Sequence, residues 1–353
     1  VKFPRALQVA LWPASVVWQV IVRTRAAAYR KGAFHSKRLP GTVISVGNIT
    51  AGGTGKTPMV LWLVERLHAE GKRAAVLTRG YRSTPDGPGG IPQSDEVAIY
   101  RSRLQAHAEL GVGANRFASG KILSRHGVEW FVLDDGFQHM QLARDVDIVL
   151  LDASDPFASG WMIPSGLLRE PKSALARADI IVVTRSPHTP AIETIVQRIT
   201  HVPIFHAVTQ LLDVMKFPGQ SATPAKPLDD WREKKAFAFC GIGNPQAFFD
   251  DLRKWGGSVS GHFSFPDHHT YTQGDIGKLQ TLARDSGAEI LLCTEKDVFN
   301  LRNVQLPALP IYFARISLEI TEPERLWRTI LETAENRRNS KISDSGKNVQ
   351  DNA

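Results

Sequence analysis

The sequence predicts an α/β fold in which helices cover both faces of a mostly parallel sheet. Three observations point there. Short, continuous apolar runs rich in β-branched residues recur between stretches of helical periodicity, the pattern of strands buried on both faces. A glycine-rich turn joins the first of these runs directly to a helix. The same alternation resumes near residue 235, so a smaller C-terminal α/β domain is expected in a chain whose 353 residues exceed one typical domain.

Taken in order, the first element is an apolar helix. Ala6 to Val22 carries no charge and is flanked by Lys2 and Arg5 before it and by Arg23, Arg25, Arg30 and Lys31 after it. A run of this length sits at the short edge of what spans a bilayer, which needs ~20 residues. Pro13 is expected to kink the helix or mark its start. Trp12 and Trp18, with the flanking arginines, suit an interfacial anchor on anionic lipid. A buried first helix of the soluble fold is the alternative.

Thr42 to Asn48 (TVISVGN) reads as a buried strand, Met59 to Gly71 as an amphipathic helix closing at a glycine, and Arg73 to Thr78 as the next strand. Tyr81 to Gln93 is rich in Gly and Pro and reads as a loop. A helix around Asn115 to Arg125 leads to strands at Glu129 to Asp135, Val146 to Asp152 and Asp179 to Thr184. Beyond Lys235, KAFAFCGIGNP gives a strand, a glycine turn and a helix from about Gln246 to Lys254. Helix Thr272 to Ser286, strand Ala288 to Cys293 and a short helix after Thr294 follow. Val202 to Val208 and Pro310 to Ile316 flank this domain as strand-like segments, which suggests a two-stranded connector.

The net charge of +8 favours an anionic partner: nucleic acid, phospholipid headgroups or a phosphorylated substrate. No zinc module or stacked-aromatic platform is visible, so nucleic acid is not the expected partner. Two cysteines, Cys240 and Cys293, lie in apolar stretches and read as buried thiols in a reducing compartment.

The strongest functional signal is VISVGNITAGGTGKTPMVLWLVERL. A strand runs into Thr50-Ala51-Gly52-Gly53-Thr54-Gly55-Lys56-Thr57, and a helix starts at once. Glycines let backbone N–H groups converge on phosphate oxygens, and the helix N-terminus adds positive potential. Lys56 can reach the β and γ phosphates, and Thr57 offers a hydroxyl to Mg²⁺. Pro58 falls in the first helical turn, where its missing N–H costs nothing. Thr50 stands where the strict G-x-x-x-x-G-K-[ST] pattern has glycine; the strand–turn–helix context restores the assignment to a P-loop NTPase-type sheet. An acidic pair should end another strand of that sheet, and EWFVLDDGFQH supplies Asp134 and Asp135. One of them can hold Mg²⁺, or Asp134 can cap the turn before Gly136. For the acceptor side, the candidates are Asp95 and Glu96 and the Asp267-His268-His269 cluster, because a carboxylate beside an imidazole makes an acid/base pair.

Together these motifs resemble the tetraacyldisaccharide 4′-kinase family, the lipid A 4′-kinases. The matching segments are VGNITAGGTGKTP (Val46 to Pro58), TRGYR (Thr78 to Arg82), SDE (Ser94 to Glu96), LDDGFQH (Leu133 to His139) and LARDVDIVLLD (Leu142 to Asp152). PSGLLRE (Pro164 to Glu170), GIGNP (Gly241 to Pro245), FPDHHTY (Phe265 to Tyr271) and TEKD (Thr294 to Asp297) extend the match over most of the chain. The resemblance implies ATP- and Mg²⁺-dependent phosphorylation of the 4′-hydroxyl of a tetraacylated glucosamine disaccharide 1-phosphate, at the cytoplasmic face of the bacterial inner membrane. It implies Asp95 as base on the sugar hydroxyl, paired with His268. Lys56 then acts on the transferred phosphate, and Thr57, Asp134 and Asp135 form the metal site with Glu96 as helper. Arg79, Arg169 and His139 are the implied phosphate or substrate contacts. Three positions depart from the family pattern: Ser94 for glycine, Val97 after the Asp-Glu pair, and Arg82 in RGYR, which could add a contact to the anionic substrate.

The expected organisation is therefore a membrane-associated helix over 1–33, a P-loop nucleotide-binding domain over 34–201 and a connector over 202–234. The smaller α/β domain follows over 235–309, then a return strand and closing helix over 310–335 and a disordered polar tail over 336–353. A membrane-associated ATPase switch of the partitioning type is the main competing reading; those proteins usually carry lysine where Ala51 stands. A GTP-binding regulator would need [NT]-K-x-D, whereas Lys296 and Asp297 are adjacent here.

Overall fold

A computed structural model describes residues 4–80, 94–104, 107–217, 227–302, 304–305 and 307–350, with side chains to residue 340. The chain divides into two compact units. The larger comprises 2–79, 104–208 and 318–353, and the smaller 80–103 and 209–317.

The larger unit opens on α1 (Arg5–Arg30), followed by β1 (Thr42–Asn48), α2 (Lys56–Ala69) and β2 (Ala74–Thr78). After α3 (Asp95–Leu104), which clusters with the smaller unit up to Arg103, come β3 (Glu109–Val112), α4 (Arg116–Arg125), β4 (Trp130–Asp134), β5 (Val146–Asp152), β6 (Ile180–Thr184) and α5 (Pro190–Gln197). Its strands lie in the order β3-β2-β4-β1-β5-β6, with the first part of β7 (Ile204–Lys216) next to β6, and the pairings between these neighbours are parallel. Strands β1 and β5 are buried along their whole length, as their continuous apolar runs require. One face packs Phe137, Val149, Leu151, Ile181 and Val183, and the other Leu39, Val43, Leu77, Phe131 and Leu133. Because β1 connects to β2 past β4, and β4 to β5 past β1, the strand order reverses around β1, and the C-terminal ends of these strands are where sheets of this kind bind ligands.

The smaller unit contains β8 (Lys235–Cys240), α6 (Pro245–Lys254), β9 (Ser258–Ser264), α7 (Gln273–Asp285), β10 (Ile290–Thr294), α8 (Glu295–Asn300) and most of β11 (Ile311–Ile320). Strands β11, β10, β8 and β9 are parallel neighbours in that order. The chain passes between the units after Arg79, at the end of α3, within β7 and within β11. Cys240 and Cys293 are free, buried thiols on β8 and β10.

At the N-terminus the structure sets aside the buried-helix alternative, and at the C-terminus the expectation changes. Helix α1 is longer than the apolar run alone and continues to Arg30 with Pro13 inside it. Among its described residues only Ser15 is buried, so it is not a core helix. Ser15 donates to the carbonyl of Met162 at 3.0 Å and lies 2.7 Å from Ser165 Oγ, while Trp18 Nε1 donates to the carbonyl of Arg169 at 3.1 Å. At the other end, the tail expected to be disordered from Asn336 instead continues α9 (Pro323–Gln350). Leu326, Trp327, Ile330 and Ala334 bury its first turns, and polar side chains extend the anchorage: Arg337 bonds Asp179 and Arg338 bonds Thr42.

Candidate active site

The glycine-rich turn leaves β1 at Asn48 and is held from three directions. Asn48 Nδ2 donates to Thr54 Oγ1 at 3.0 Å, Thr184 Oγ1 donates to the Thr54 carbonyl at 3.1 Å, and the Ala51 amide donates to the Leu167 carbonyl at 2.6 Å. Thr50 is buried and bridges Leu168 in antiparallel fashion, which gives the threonine its place in the loop. Gly55 precedes α2 with φ +86°, a backbone that a side chain would strain. No side chain caps this helix, and no acid stands in its first turn. A Cβ added to Gly52 or Gly53 would meet nothing within 4 Å. The loop therefore combines uncapped helix-start amides, open space beside Gly52 and Gly53, and Lys56 close by, the arrangement that receives an anionic phosphate.

The acidic pair reaches this loop through sheet register. Strand β4 runs parallel to β1 with Val46 opposite Asp134, so both strands deliver their C-terminal ends to one edge. Gly47 lets the next turn close down on β1, since a Cβ there would sit 2.6 Å from Phe137 Cβ. Asp134 is buried and accepts from Thr78 Oγ1 at 3.2 Å. Asp135 adopts φ +48° and accepts two bonds from Arg169 Nη1, at 2.8 and 2.7 Å, while Lys56 Nζ lies 3.5 Å from its Oδ1. Burial alone would raise the Asp135 pKa, but Lys56 and Arg169 together hold its carboxyl well below the usual carboxylate range. Among the described residues no cluster of three or more His, Cys, Asp or Glu side chains could hold a metal by itself. A hydroxyl, one or two carboxylates and phosphate oxygens are the donor set Mg²⁺ takes in phosphate-loop enzymes, and Thr57 and the acidic pair fit it.

His139 follows the same turn. Its pKa falls to about 4 because it is buried and because Arg116, Arg144, Arg25 and Arg79 surround it with positive charge. The imidazole is therefore neutral near pH 7, and its Nδ1 accepts from Arg116 Nη1 at 3.0 Å. Such a concentration of guanidinium charge suits an anionic ligand. A cleft of ≈ 560 Å³ beside it is lined by Tyr29, Phe34, Lys37, Asn115, Phe117 and His139, among others.

The smaller unit holds the second constellation. His268 Nδ1 donates to Asp95 Oδ2 at 2.9 Å across a sequence separation of 173. Asp95 opens α3, and Ser94, where glycine was expected, caps that helix by accepting the Val97 amide at 3.3 Å. Burial opposes the charge on Asp95, but the His268 bond and the Lys296 charge outweigh it and lower the Asp95 pKa. The same bond raises that of His268 against its own burial. The stability due to Asp95 is present above its ordinary 3.8 and is lost as pH falls through the lowered value. The part due to His268 is present below its ordinary 6.5 and is lost as pH rises through the raised value. His268→Ala is therefore expected to lower the melting temperature most between about pH 4 and 6.5, with the gap from wild type narrowing on either side. A gap that is flat across this range would show that the pair adds no pH-linked stability.

The expected residues thus fall into two groups. Thr50 to Thr57, Asp134, Asp135, Arg169, His139 and Arg79 belong to the larger unit, and Asp95, Glu96 and His268 to the smaller. Glu96 stands 3.7 Å from Lys296 Nζ. Arg82 lies outside the described residues. Several participants escaped the sequence reading. Arg116 and Arg25 act on His139, and Gln138 bridges the Asn48 carbonyl and Glu170. Glu295 pairs with Arg103 on α3 at 3.2 Å. TEKD was legible as a motif, but nothing in the residue types alone said what its charges would face.

Residues 7–335 match the family model for tetraacyldisaccharide-1-P 4′-kinase. The chain is 36% identical over 336 residues to the tetraacyldisaccharide 4′-kinase of Pelobacter propionicus, covering 91% of each chain. It is 37% identical over 327 residues to that of Geobacter metallireducens, covering 88% of this chain and 94% of the relative. A solved structure of LpxK from Aquifex aeolicus, described as an apo form in complex with ATP, superposes with a TM-score of 0.66 at 29% identity, over 93% of this chain and 99% of that one.

Proposed function

This chain belongs to the tetraacyldisaccharide 4′-kinase family, and from that premise we infer that its two constellations transfer the γ-phosphoryl group of ATP to the 4′-hydroxyl of a tetraacylated disaccharide 1-phosphate. It is an ATP-using phosphotransferase, and the competing reading as an ATPase switch is not favoured. The observation that carries the reading is the uncapped, acid-free start of α2 bearing Lys56, beside Asp135 and Arg169.

In this reading the amides from Gly52 to Thr57 take the phosphate oxygens, and Lys56 leaves its position against Asp135 to meet the β and γ phosphates. Thr57 and Asp134 or Asp135 would hold Mg²⁺, which neutralises charge on those oxygens when bound. Asp95 accepts the proton of the sugar hydroxyl as its oxygen bonds to phosphorus, and the bond from phosphorus to the β-γ bridging oxygen breaks. The depressed pKa of Asp95 suits a loose transition state, in which the hydroxyl proton leaves late and the carboxylate mainly orients it. His268 holds that carboxylate in place. Arg79, Arg169, Arg25 and Arg116 provide the anionic substrate with cationic contacts, and the neutral His139 orients Arg116 by accepting from it. Incubation with labelled ATP and the disaccharide 1-phosphate lipid should give a labelled bisphosphate lipid; label released only as inorganic phosphate would contradict this function.

The acceptor is a lipid, and α1 is long and apolar enough to cross a membrane by length and composition. Val9, Val17, Val20 and Ile21 are all more than half exposed on it. We place the enzyme at the cytoplasmic face of the inner membrane, with α1 as its anchor on anionic lipid. Each apolar side chain moved from water into lipid contributes about 2 kcal/mol. Val17→Asp with Ile21→Asp is therefore expected to shift the protein from the vesicle fraction to the supernatant in flotation on anionic liposomes. Unchanged flotation would remove α1 as the anchor.

A further inference from the structure

Neither the phosphate loop nor the dyad explains the helix that follows β10, where four consecutive residues all face the machinery of the smaller unit. Asp297 is fully buried, yet its carboxylate accepts four hydrogen bonds. Oδ1 takes the Gly241 amide at 2.8 Å and the Tyr271 hydroxyl at 2.7 Å. Oδ2 takes the Thr294 amide at 3.1 Å and the Thr294 hydroxyl at 2.6 Å, which caps α8.

These bonds lead to the imidazole. The Gly241 carbonyl accepts the backbone amide of His268 at 3.0 Å, and His268 itself is held at φ +57°, a conformation a non-glycine residue keeps only when its surroundings impose it. Gly241 admits no larger residue freely, since a Cβ there would stand 3.1 Å from both His269 Cβ and the Pro266 carbonyl. Tyr271 closes the other end of the same loop, packed edge-on against Phe239 and Phe265. One carboxylate thus holds the loop directly at Tyr271 and, through Gly241, at His268 itself. The two preceding residues hold the partner: Glu295 pairs with Arg103 and Lys296 with Glu96, both on the helix that begins with Asp95.

We propose that Asp297 is the positioning residue of the Asp95–His268 dyad, fixing the left-handed His268 through the Gly241 peptide and Tyr271 while the rest of TEKD fixes Asp95. The proposal rests on the reading that this dyad serves phosphoryl transfer. An asparagine at 297 would have to point its NH₂ at one of two donor pairs, either Gly241 and Tyr271 or the Thr294 cap. In both cases part of the grip on the loop or on α8 is lost.

The test is Asp297→Asn, with Tyr271→Phe as a milder variant that deletes one bond and keeps the buried ring. Misplacement of a reacting group by about 1 Å can cost on the order of 10²-fold in rate. Asp297→Asn should therefore lower kcat on that scale with KM for ATP near wild type, and Tyr271→Phe should lower it less. An imidazole N–H bonded to a carboxylate gives a low-field proton resonance, which reports the dyad without turnover. In wild type it should be assignable by its loss in His268→Gln, and in both variants it should weaken or move upfield. A resonance and a kcat unchanged in Asp297→Asn, or in Tyr271→Phe if the former does not fold, would overturn the proposal. Full transfer by Asp95→Asn would instead refute the catalytic reading of the dyad, while a displaced resonance in Asp297→Asn would still support its positional role.

Discussion

Lys56→Ala is expected to lower kcat by on the order of 10²–10³-fold or more while the protein stays folded, because it removes the charge placed where the transferred phosphoryl group develops its own. Lys56 opens α2, whose first turn, KTPM, holds no other basic side chain to replace it. Its contact with Asp135, at 3.5 Å, contributes little to stability, since Asp135 is about a third exposed and keeps both bonds from Arg169. Thermal unfolding close to wild type, combined with loss of transfer in a labelled-ATP assay, is the expected pair of results. Turnover like wild type would show that Lys56 is not part of the phosphate site.

Asp95→Asn should have an effect of similar size through a different route. General-base catalysis contributes typically about 10²–10⁴-fold, and the amide keeps the shape of the carboxylate while losing its basicity. ATP affinity is expected to remain near wild type because Asp95 acts on the sugar hydroxyl. The loss should appear in kcat and in kcat/KM for the lipid, measured at saturating ATP. A parallel loss of ATP affinity would make Asp95 part of the nucleotide site instead. His268 is then left with a neutral partner, so the pH-linked stability of the pair should disappear in the same variant.

The framework of the larger unit was legible because each central strand is a continuous apolar run with no other structural option. TVISVGN, WFVLD and VDIVLLD are buried nearly throughout and became β1, β4 and β5. Edge strands were harder to see. In β9, SVSGHFS alternates exposed with half-buried positions and carries a glycine, and β3 is four residues long. Helix α3 had a readable stripe in Val97, Tyr100 and Leu104, all buried, but its opening acids drew attention as chemistry alone. The second half of β7, TQLLDVMK, mixes apolar and polar residues without the continuous run of the first half, and the chain re-enters the smaller unit there.

The candidate site divides the same way. The phosphate loop is local, so adjacency in sequence is adjacency in space. The acidic pair was predictable because β4 ends beside β1, at the Val46–Asp134 register. The Asp95–His268 contact has no local signature, and only resemblance to a family placed the two together in advance. Arg116 was not singled out, and Arg25 was read only as a lipid-facing charge, because their meaning lies in a shared neighbour, His139, rather than in any spacing. Asp297, the capping-box partner of Thr294, shows only local bonds until β8 and β10 are paired, when its second set of bonds appears.

A crystal structure with a non-hydrolysable ATP analogue and Mg²⁺ is the most direct measurement. The triphosphate should lie along the amides from Gly52 to Thr57, with Lys56 drawn from Asp135 to the phosphates and the ion held by Thr57 and one of Asp134 and Asp135. A turn that stays empty, with the analogue bound elsewhere, would contradict the account.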